Sequence, residues 1–386
     1  MRSVSENLEI LPAKNQLQLY GYEYYFNTFA KLFKSNNLPN TILLTGQKGS
    51  GKSTFLYHFI NFLLSNDISG VSYFNYSSRD GFGLSRTYFT YKKDISDELS
   101  FKFQTDVGAV GDDDRWTAYL KKAQLDWTID EGMKISMGLI GMNMFNVQEK
   151  TWGNRFVSKT AIDINKWSSS ADLGFSITKN FGIVTANLMM TNGEGYKNMD
   201  VDDDDKISLQ LLHGEKRLDK NDGYNVGFIY SNLTKDSAIG TDDITTWVEC
   251  TSEDITAGNC ANGDSGWWHT EDGIPPTLGY DTDVMGLFGG WSSNNITTGI
   301  EYNTKEEGDV SSSLTSLYAN YSINESSSLF VRMDSLDPNI DTNADGTDTL
   351  MAGFIWTPTK GLKICPNMVK VGDGDETYKM NFEFKF

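Results

Sequence analysis

The sequence predicts an all-β protein: an antiparallel transmembrane β-barrel of about 14–18 strands, preceded by a small α/β segment. Apolar residues alternate with polar ones along most of the second part of the chain, which indicates strands that bury only one face. No apolar run approaches the roughly 18–20 residues that a membrane-spanning helix needs. Aromatic residues make up 13% of the chain, which is not typical of a disordered protein.

The charge of the chain changes near residue 70. Residues 1–69 contain six basic and four acidic residues, a net charge of +2. Residues 70–386 contain the other 27 of 33 basic and 48 of 52 acidic residues, a net charge of −21. We therefore predict two units, residues 1–69 and residues 70–386. The acidity of the second unit argues against nucleic acid as its partner, because phosphate groups would be repelled.

The first unit is predicted to form a helix over residues 20–33, a short buried strand at Thr41–Thr45 and a helix over residues 54–65. The intervening sequence GQKGSGKS matches the phosphate-binding pattern GxxxxGK[ST] between a strand and a helix. Its glycines let backbone N–H groups face a phosphate, while the lysine and serine would contact the phosphates and Mg²⁺ of ATP. The candidate nucleotide-binding residues are Gly46, Gly49, Gly51, Lys52, Ser53 and Thr54.

The run LPNTILLTGQKGSGKSTFLYHFINFLLS resembles the N-terminal region of clamp-loader δ′-type AAA ATPases. That resemblance implies a role in loading a DNA-polymerase clamp, and it covers less than a fifth of the chain. After residue 65 no apolar strand ends in the paired acid that a Walker B motif requires. We therefore expect a vestigial, non-hydrolysing fragment fused to the second unit.

The second unit shows period-two alternation in segments of about nine to eleven residues, the length of a tilted membrane-spanning strand. The clearest segments are residues 99–107, 122–129, 133–139, 224–230, 296–303, 329–334, 350–356 and 378–386. Predicted short turns at 93–98, 179–180 and 324–327 alternate with predicted long loops at 141–169, 192–222, 232–283 and 335–348. A soluble β-sandwich or β-helix is the alternative fold. Aromatic residues near strand ends favour the membrane barrel because they fit the girdles at its interfaces.

Several segments of the second unit resemble outer-membrane porins of the general and phosphate-selective type of Gram-negative bacteria. They are SRTYFTYKKDISDELSFKFQTDVG, QLDWTIDEGMKISMGLIG, TKNFGIVTANLMMTNGEGY, LFVRMDSLDPN and the last strand, which ends in Phe386. The resemblance implies a non-enzymatic channel for small hydrophilic solutes, set in outer-membrane lipid as a homotrimer. It also implies that the barrel-assembly machinery reads the C-terminal Phe386.

The resemblance further implies that a long loop folds into the lumen and narrows it, and residues 141–167 are the candidate. A pore selects solutes by the width and charge of its constriction. The candidate pore-lining residues are Arg86, Lys102, Lys122, Lys134, Glu149, Arg155, Lys159, Glu301 and Arg332. Their signs are mixed, and no run of stacked arginines predicts phosphate selectivity. Net acidity near the mouths of the pore predicts a modest preference for cations that high salt removes.

Other sites are predicted in the loops. Asp341, Asn343 and Asp345 place oxygen ligands at alternate positions before a glycine, as a Ca²⁺ loop does, although no glutamate follows at the twelfth position. A solvated acidic loop is the alternative. Cys250 and Cys260 are predicted to form a disulfide in an oxidising compartment. We find no arrangement of a nucleophile and a base, so we expect no catalysis and no required cofactor. Two other functions remain, a clamp-loader-type nucleotide-binding protein and a non-conducting structural or adhesive barrel.

Overall fold

The computed structural model describes residues 21–34, 38–39, 41–65, 68–108, 116–197, 205–235, 244–257, 261, 265–271 and 279–386. Its helices are α1 Glu23–Lys34, α2 Lys52–Ser65, α3 Asn146–Trp152, α4 Ala161–Ile164 and α5 Ser252–Ala257. The first nine strands are β1 Ile68–Ser77, β2 Gly81–Asp94, β3 Leu99–Gly108, β4 Thr117–Asp130, β5 Met133–Gly141, β6 Ala171–Asn180, β7 Thr185–Thr191, β8 Asp205–Gly214 and β9 Gly223–Lys235. The others are β10 Ile244–Glu249, β11 Gly266–Glu271, β12 Tyr280–Ser293, β13 Ile296–Glu307, β14 Val310–Asn324, β15 Ser327–Asp337, β16 Thr347–Thr359, β17 Leu362–Val371 and β18 Thr377–Lys385.

Sixteen of these strands form one closed antiparallel barrel. Strands β1 to β9 and β12 to β18 follow each other around the wall, and β9 pairs directly with β12. Strands β10 and β11 form a separate two-stranded sheet in the connection between β9 and β12. The barrel closes where β1 pairs with β18, with Val71 opposite Lys385. The strand number lies within the predicted range, so the predicted barrel is confirmed.

The outer face of the barrel wall carries apolar side chains and the inner face carries polar ones, as strand β15 shows. On β15, Leu329, Val331 and Met333 point outward and are each about 45% exposed. Arg332 and Asp334 point inward on the same strand and are nearly buried. A soluble protein shows the opposite arrangement, with apolar side chains inside. The outward apolar face therefore suits contact with lipid.

No helix in the described part of the chain is both long enough and apolar enough to cross a membrane.

The C-terminal residue takes part in barrel closure. The Gly70 N–H donates to the Phe386 carbonyl at 2.9 Å, and the Phe386 N–H donates back to Gly70 at 3.1 Å. The Phe386 ring lies over Gly70 so closely that a Cβ atom at position 70 would be 2.1 Å from the ring. Only a residue without a side chain fits under this ring as it stands.

One predicted loop contains a strand. The prediction of a single loop over residues 192–222 was wrong, because β8 occupies Asp205–Gly214. Lys206 and Ser208 of β8 are buried inside the barrel, whereas Ile207 is 50% exposed outside it. The alternation was present in the sequence, but the aspartate run at 202–205 directly before it resembles a loop. The predicted turn at 179–180 is also displaced, because β6 runs to Asn180 and the turn is at 181–184.

The N-terminal segment differs from the prediction in its central element. The two predicted helices are present as α1 and α2, and they pack through Phe26 and Phe29 against Phe55 and Phe59. The predicted strand at Thr41–Thr45 was wrong, because residues 41–47 have no regular structure and Leu43 is 83% exposed. A strand must satisfy its backbone groups by pairing, and no described strand pairs with this segment. The strand-to-helix context of an α/β phosphate-binding loop is therefore incomplete.

Candidate pore and its inserted loop

The connection between β5 and β6, residues 142–170, folds into the barrel, as predicted for residues 141–167. Helix α3 ends at Gly153, whose φ of 71° turns the chain back in a left-handed conformation that glycine adopts easily. Trp152 is fully buried, and its ring contacts those of Tyr318 on β14 and Phe330 on β15 at centroid distances of 5.4 and 5.5 Å. The loop is therefore fixed to the inner wall by an aromatic anchor.

A second apolar contact holds the start of the loop and α4. Met144, Phe145, Val147 and Ile162 of the loop are all at most 4% exposed. They belong to one buried cluster with inward residues of β8, β9, β12 and β14, namely Leu212, Ile229, Val284, Phe288 and Leu314. The loop thus packs against the inner side of β8, β9, β12, β14 and β15.

Arg332 joins the loop to the wall electrostatically. Its Nε and Nη2 atoms donate to the two carboxylate oxygens of Asp334 at 2.8 and 2.7 Å, and Nη1 donates to the Lys159 carbonyl at 2.5 Å. The guanidinium also lies 5.1 Å from the centre of the Trp152 ring. Arg332 and Glu301 point inward as predicted, but each is only 1% exposed. Both are too buried to face a passing solute, and Arg332 holds the inserted loop against the wall through Lys159 and Trp152.

The lumen beside the loop is polar and contains two cavities. The first, of about 600 Å³, adjoins the turn between β2 and β3, and its lining includes Lys102, Lys122 and Lys134. The second, of about 540 Å³, lies toward the long loops and is lined by Arg86 and Lys159 among others. The four candidate residues on strands β2 to β5 therefore all border open space inside the barrel.

Arg86 lies in a polar network on this open wall. It forms an ion pair with the buried carboxylate of Asp106. Its Nη1 atom also donates to the hydroxyl groups of Tyr119 at 3.0 Å and Tyr196 at 3.2 Å. The network fixes the guanidinium at the edge of the second cavity, so Arg86 can contribute a fixed positive charge to the pore.

The inserted loop carries charges of both signs that neutralise each other. Arg155 pairs with Glu149 at 3.1 Å and with Asp163 at 3.5 Å, and Lys159 pairs with Asp163 at 2.8 Å. Burial lowers the pKa of Arg155, but Tyr88, Glu149 and Asp163 outweigh burial and raise that pKa above its ordinary value. Burial lowers the pKa of Lys159, although Asp163 opposes this shift. Arg155 is therefore permanently charged, whereas Lys159 loses its proton more readily than an ordinary lysine.

This architecture resembles those of several solved structures. No protein-family model matches the chain, and no curated protein matches it. Among solved structures, the outer-membrane expressed OmpT of Vibrio cholerae superposes with a TM-score of 0.55 and 8% identity, over 83% of this chain and 97% of that one. The chain has the fold of outer-membrane porins.

Two further structures show the same likeness. The anion-selective porin from Comamonas acidovorans has a TM-score of 0.53 and 11% identity, with 83% of this chain and 98% of that chain covered. Salmonella typhi OmpF in complex with daunomycin has a TM-score of 0.50 and 11% identity, with 83% and 97% covered. At such identities the likeness concerns the fold, and residue roles must be argued from the chain itself.

Sequence alternation does not predict that one residue, Lys121, points into the lumen. Simple alternation places Lys122 inside and Lys121 outside, but a β-bulge in β4 turns both inward. Gln104 pairs with Lys122, and the next residue of β3, Thr105, pairs with Leu120. Lys121 therefore has no partner in the register, and its Nζ atom donates to the Tyr88 hydroxyl at 3.0 Å inside the barrel. A bulge has no reliable signal in a single sequence.

The phosphate-binding motif forms a compact loop before α2. Gly46, Gly49 and Gly51 all have positive φ, and Ser53 and Thr54 lie in the first turn of the helix. The Lys52 ammonium donates to the carbonyls of Gly46 at 2.9 Å and Gln47 at 2.7 Å, and to the Ser50 hydroxyl at 3.2 Å. The lysine thus satisfies its donors within its own loop.

The predicted metal and disulfide sites are only partly described. Asp341, Asn343 and Asp345 lie in the loop between β15 and β16, and the described residues contain no cluster of three His, Cys, Asp or Glu that could hold a metal. Calcium binding there stays a prediction. Cys250 is disulfide-bonded, whereas Cys365 is free and buried. Cys260 lies outside the described residues, so its pairing with Cys250 stays a prediction.

Proposed function

We propose that this protein is an outer-membrane porin of a Gram-negative bacterium, a passive diffusion channel for small hydrophilic solutes and ions. The observation that carries the proposal is the polar half of the lumen, where the inserted loop leaves cavities of about 600 and 540 Å³ beside it. Ionisable side chains line both cavities, so water and dissolved solutes are favoured there. The outward apolar face supplies the surface that lipid would cover.

The apolar packing inside the barrel does not favour a sealed structural or adhesive barrel. Most of that packing lies where the loop meets β8, β9 and β12 to β17, with smaller contributions from β1, β2, β5 and β7. The wall formed by β2 to β8 instead carries polar and charged inward residues such as Arg86, Lys102 and Gln210. A narrowed pore fits this one-sided arrangement better than a plug.

The proposal includes a homotrimeric assembly without enzymatic activity. One structure of similar fold, with a TM-score of 0.54 and 8% identity over 83% of this chain and 98% of that one, is a trimer form of OmpT. Apolar grooves on the outside of the barrel, one of them lined by Phe74, Phe82 and Trp116, supply a surface that a neighbouring subunit or lipid would cover. The Phe386 side chain at the closure is the group that the barrel-assembly machinery would read.

Solute entry into liposomes tests the channel. Liposomes that contain the refolded full-length chain should swell in isotonic sugar, quickly with a pentose and more slowly with a tetrasaccharide, because the constriction sieves by size. Liposomes with the heat-denatured chain are the control. Equal and slow swelling with every sugar, from a barrel whose folding is confirmed by its gel mobility, would contradict the proposal.

We infer that the N-terminal segment does not act as a clamp-loader ATPase. The support is the unpaired segment at residues 41–47 and the engagement of the Lys52 ammonium within its own loop. Titration with a fluorescent ATP analogue and Mg²⁺ should give no saturable binding, and Lys52→Ala should behave like the parent chain. Saturable binding that Lys52→Ala abolishes would restore the nucleotide-binding alternative.

A further inference from the structure

The charge inside the barrel is opposite to the charge of the chain. The chain carries a net charge of −19. The cavity next to the β2–β3 turn is nevertheless lined by five lysines, Lys92, Lys102, Lys122, Lys134 and Lys216, which we term the lysine cluster. Only two acidic residues, Asp94 and Asp126, line the same cavity. The described part of this cavity is therefore electropositive.

The cluster places like charges next to each other on the wall. Lys92 of β2 lies directly opposite Lys102 of β3 in the strand register. Lys102 in turn lies opposite Gln124 of β4, two residues from Lys122. Like charges directly opposite each other on neighbouring strands destabilise a sheet. An anion bound between them would relieve this repulsion.

The bulge in β4 increases the positive charge further. Because Lys121 is the unpaired residue of the bulge, both Lys121 and Lys122 point into the lumen. A regular strand would turn one of the two outward. Lys121 lies against the rings of Tyr88 and Tyr196, with its Nζ atom 4.5 and 5.1 Å from their centres. It thereby links the lysine cluster to the region of Arg86.

One of the two carboxylates that line this cavity is already engaged by other groups. Asp126 accepts hydrogen bonds from Ser136 and from Gln124, and it pairs with Lys134 at 3.4 Å. Within the described residues, Lys92, Lys102 and Lys122 have no ion-pair partner. Their ammonium groups remain available to a ligand.

Lys216, between β8 and β9, is affected by the electrostatic potential of the neighbouring cations. Burial lowers the pKa of Lys216, and the neighbouring cations Lys134 and Lys150 lower it further. The direction of the Lys134 and Lys150 contributions is that of a region with excess positive charge.

The second cavity continues the positive charge on the other side of the constriction. Its lining contains six basic and three acidic residues. The basic residues are Arg86, Lys159, Lys166, Lys197, Lys206 and Lys305, and the acidic ones are Asp163, Glu194 and Glu307. Asp163 is already paired with Lys159 and Arg155. Basic groups therefore predominate along the open wall on both sides of the loop.

We propose that the lysine cluster binds small oxyanions in transit, such as phosphate or short dicarboxylates, and makes the pore prefer anions to cations. This inference rests on the proposed channel function. It reverses the cation preference predicted from acidity near the mouths of the pore, because basic residues outnumber acidic ones in the lining of both described cavities. Ammonium groups with three donors on flexible stems suit oxyanions that pass through without a fixed geometry.

The reversal potential of the refolded full-length chain in a planar bilayer, with a gradient of KCl, tests the sign of the selectivity. We expect chloride to permeate better than potassium at low salt and the difference to shrink at about 1 M salt, where the Debye length is about 3 Å. Channels that open but prefer potassium would overturn the inference and leave the proposed function intact. A bilayer without channels would instead overturn the proposed function.

Substitution of individual lysines tests whether the lysine cluster determines the preference for chloride over potassium. Lys102→Gln/Lys122→Gln should lower the chloride-to-potassium permeability ratio at low salt at least about threefold, because two charges next to the ion path are removed. Lys92→Gln and Lys93→Gln form a matched pair, since the two lysines are adjacent on β2 and point to opposite faces. Lys92→Gln should reduce the ratio and Lys93→Gln should leave it unchanged. Equal effects of the pair would overturn the assignment.

Block of the current by inorganic phosphate distinguishes anion binding at the lysine cluster from a purely electrostatic effect of the cluster on ion permeation. Phosphate added to the chloride solution should reduce the single-channel current of the parent chain in a saturable manner, because a divalent oxyanion is held longer than chloride. The block should weaken at least about threefold in Lys102→Gln/Lys122→Gln, on the same charge argument. A block of unchanged strength in that variant, or none in the parent chain, would overturn the binding site.

Discussion

At the scale of single residues, the constriction depends on a few buried groups that a solute never meets. Arg332 forms two hydrogen bonds with Asp334 and a third with the backbone of the inserted loop, and it lies beside Trp152. Sequence alternation correctly turned Arg332 inward, but alternation cannot show which inward residues a loop will cover. That distinction depends on contacts between residues more than 150 positions apart.

Loss of Arg332 should therefore destabilise the barrel. Arg332→Gln leaves the Asp334 carboxylate buried without its partner, and we expect a loss of about 3–5 kcal/mol in the free energy of unfolding. Arg332→Met/Asp334→Leu removes both charges and should be closer to the parent chain. Denaturant titration in detergent measures both variants. A double variant as unstable as Arg332→Gln would show that the ion pair is not the reason.

The pKa shifts outside the strands predict how selectivity changes with pH. Burial lowers the pKa of Lys159 and of Lys216, so both lose their protons below the ordinary lysine pKa of about 10.4. Anion preference should accordingly fall as the pH rises from 7, before exposed lysines titrate. Because the unfolded chain holds these protons more tightly, the same rise in pH should increase stability between the folded and unfolded pKa values.

Reversal potentials measured over a series of pH values check this prediction. Lys159→Arg keeps its charge throughout and should reduce the alkaline change in selectivity. A selectivity that stays constant up to the ordinary lysine pKa, in both the parent chain and the variant, would contradict it.

At the scale of elements, period-two alternation was sufficient for most of the wall, including β3, β5, β9, β13 and β15. The alternation rule failed where an adjacent loop-like sequence or a β-bulge interrupted the pattern. The aspartates before Ile207 hid β8, and the bulge at Lys121 reversed the expected direction of one side chain. The strand predicted at Thr41–Thr45 failed for a different reason, since an apolar run becomes a strand only when a partner strand is available.

Removal of the inserted loop should widen the pore. Replacing residues 144–167 by a short Gly/Ser linker removes α3, α4 and the Trp152 anchor, and the single-channel conductance should rise by roughly twofold or more as the constriction is lost. Deletion of residues 244–271 is the control and should leave the conductance unchanged, because β10 and β11, which this deletion removes, form a sheet separate from the barrel. A conductance that the first deletion does not raise would show that the narrowest point lies elsewhere.

The contact between Gly70 and Phe386, where β1 pairs with β18, leads to a prediction about barrel stability. In Gly70→Ala the new methyl group would meet the Phe386 ring at 2.1 Å, so the ring must move, and because this ring is 63% exposed we expect a cost at the low end for overpacking, about 1 kcal/mol. Gly289→Ala is a matched control on β12, because a Cβ atom there would have its nearest neighbour at 3.5 Å. Unfolding curves in detergent compare the two. Equal stability of the two variants would remove the proposed role of the Phe386 ring in closure.

At the scale of the whole molecule, the charge of the chain and the charge of the pore differ. The net charge of −19 is a property of the complete sequence, whereas the charged residues that line the two described cavities are mainly lysine and arginine. Period-two alternation and the absence of long apolar runs were together enough to predict the barrel. They could not predict the selectivity, because the residues that face the lumen depend on the register, the bulge and the inserted loop.

The single-channel conductance of the refolded full-length chain in a planar bilayer tests the central claim most directly. An open, narrowed pore predicts discrete current steps of uniform size that are proportional to voltage at symmetric salt. A silent bilayer, with insertion of the folded barrel verified by protease protection, would contradict the claim and favour a barrel that does not conduct.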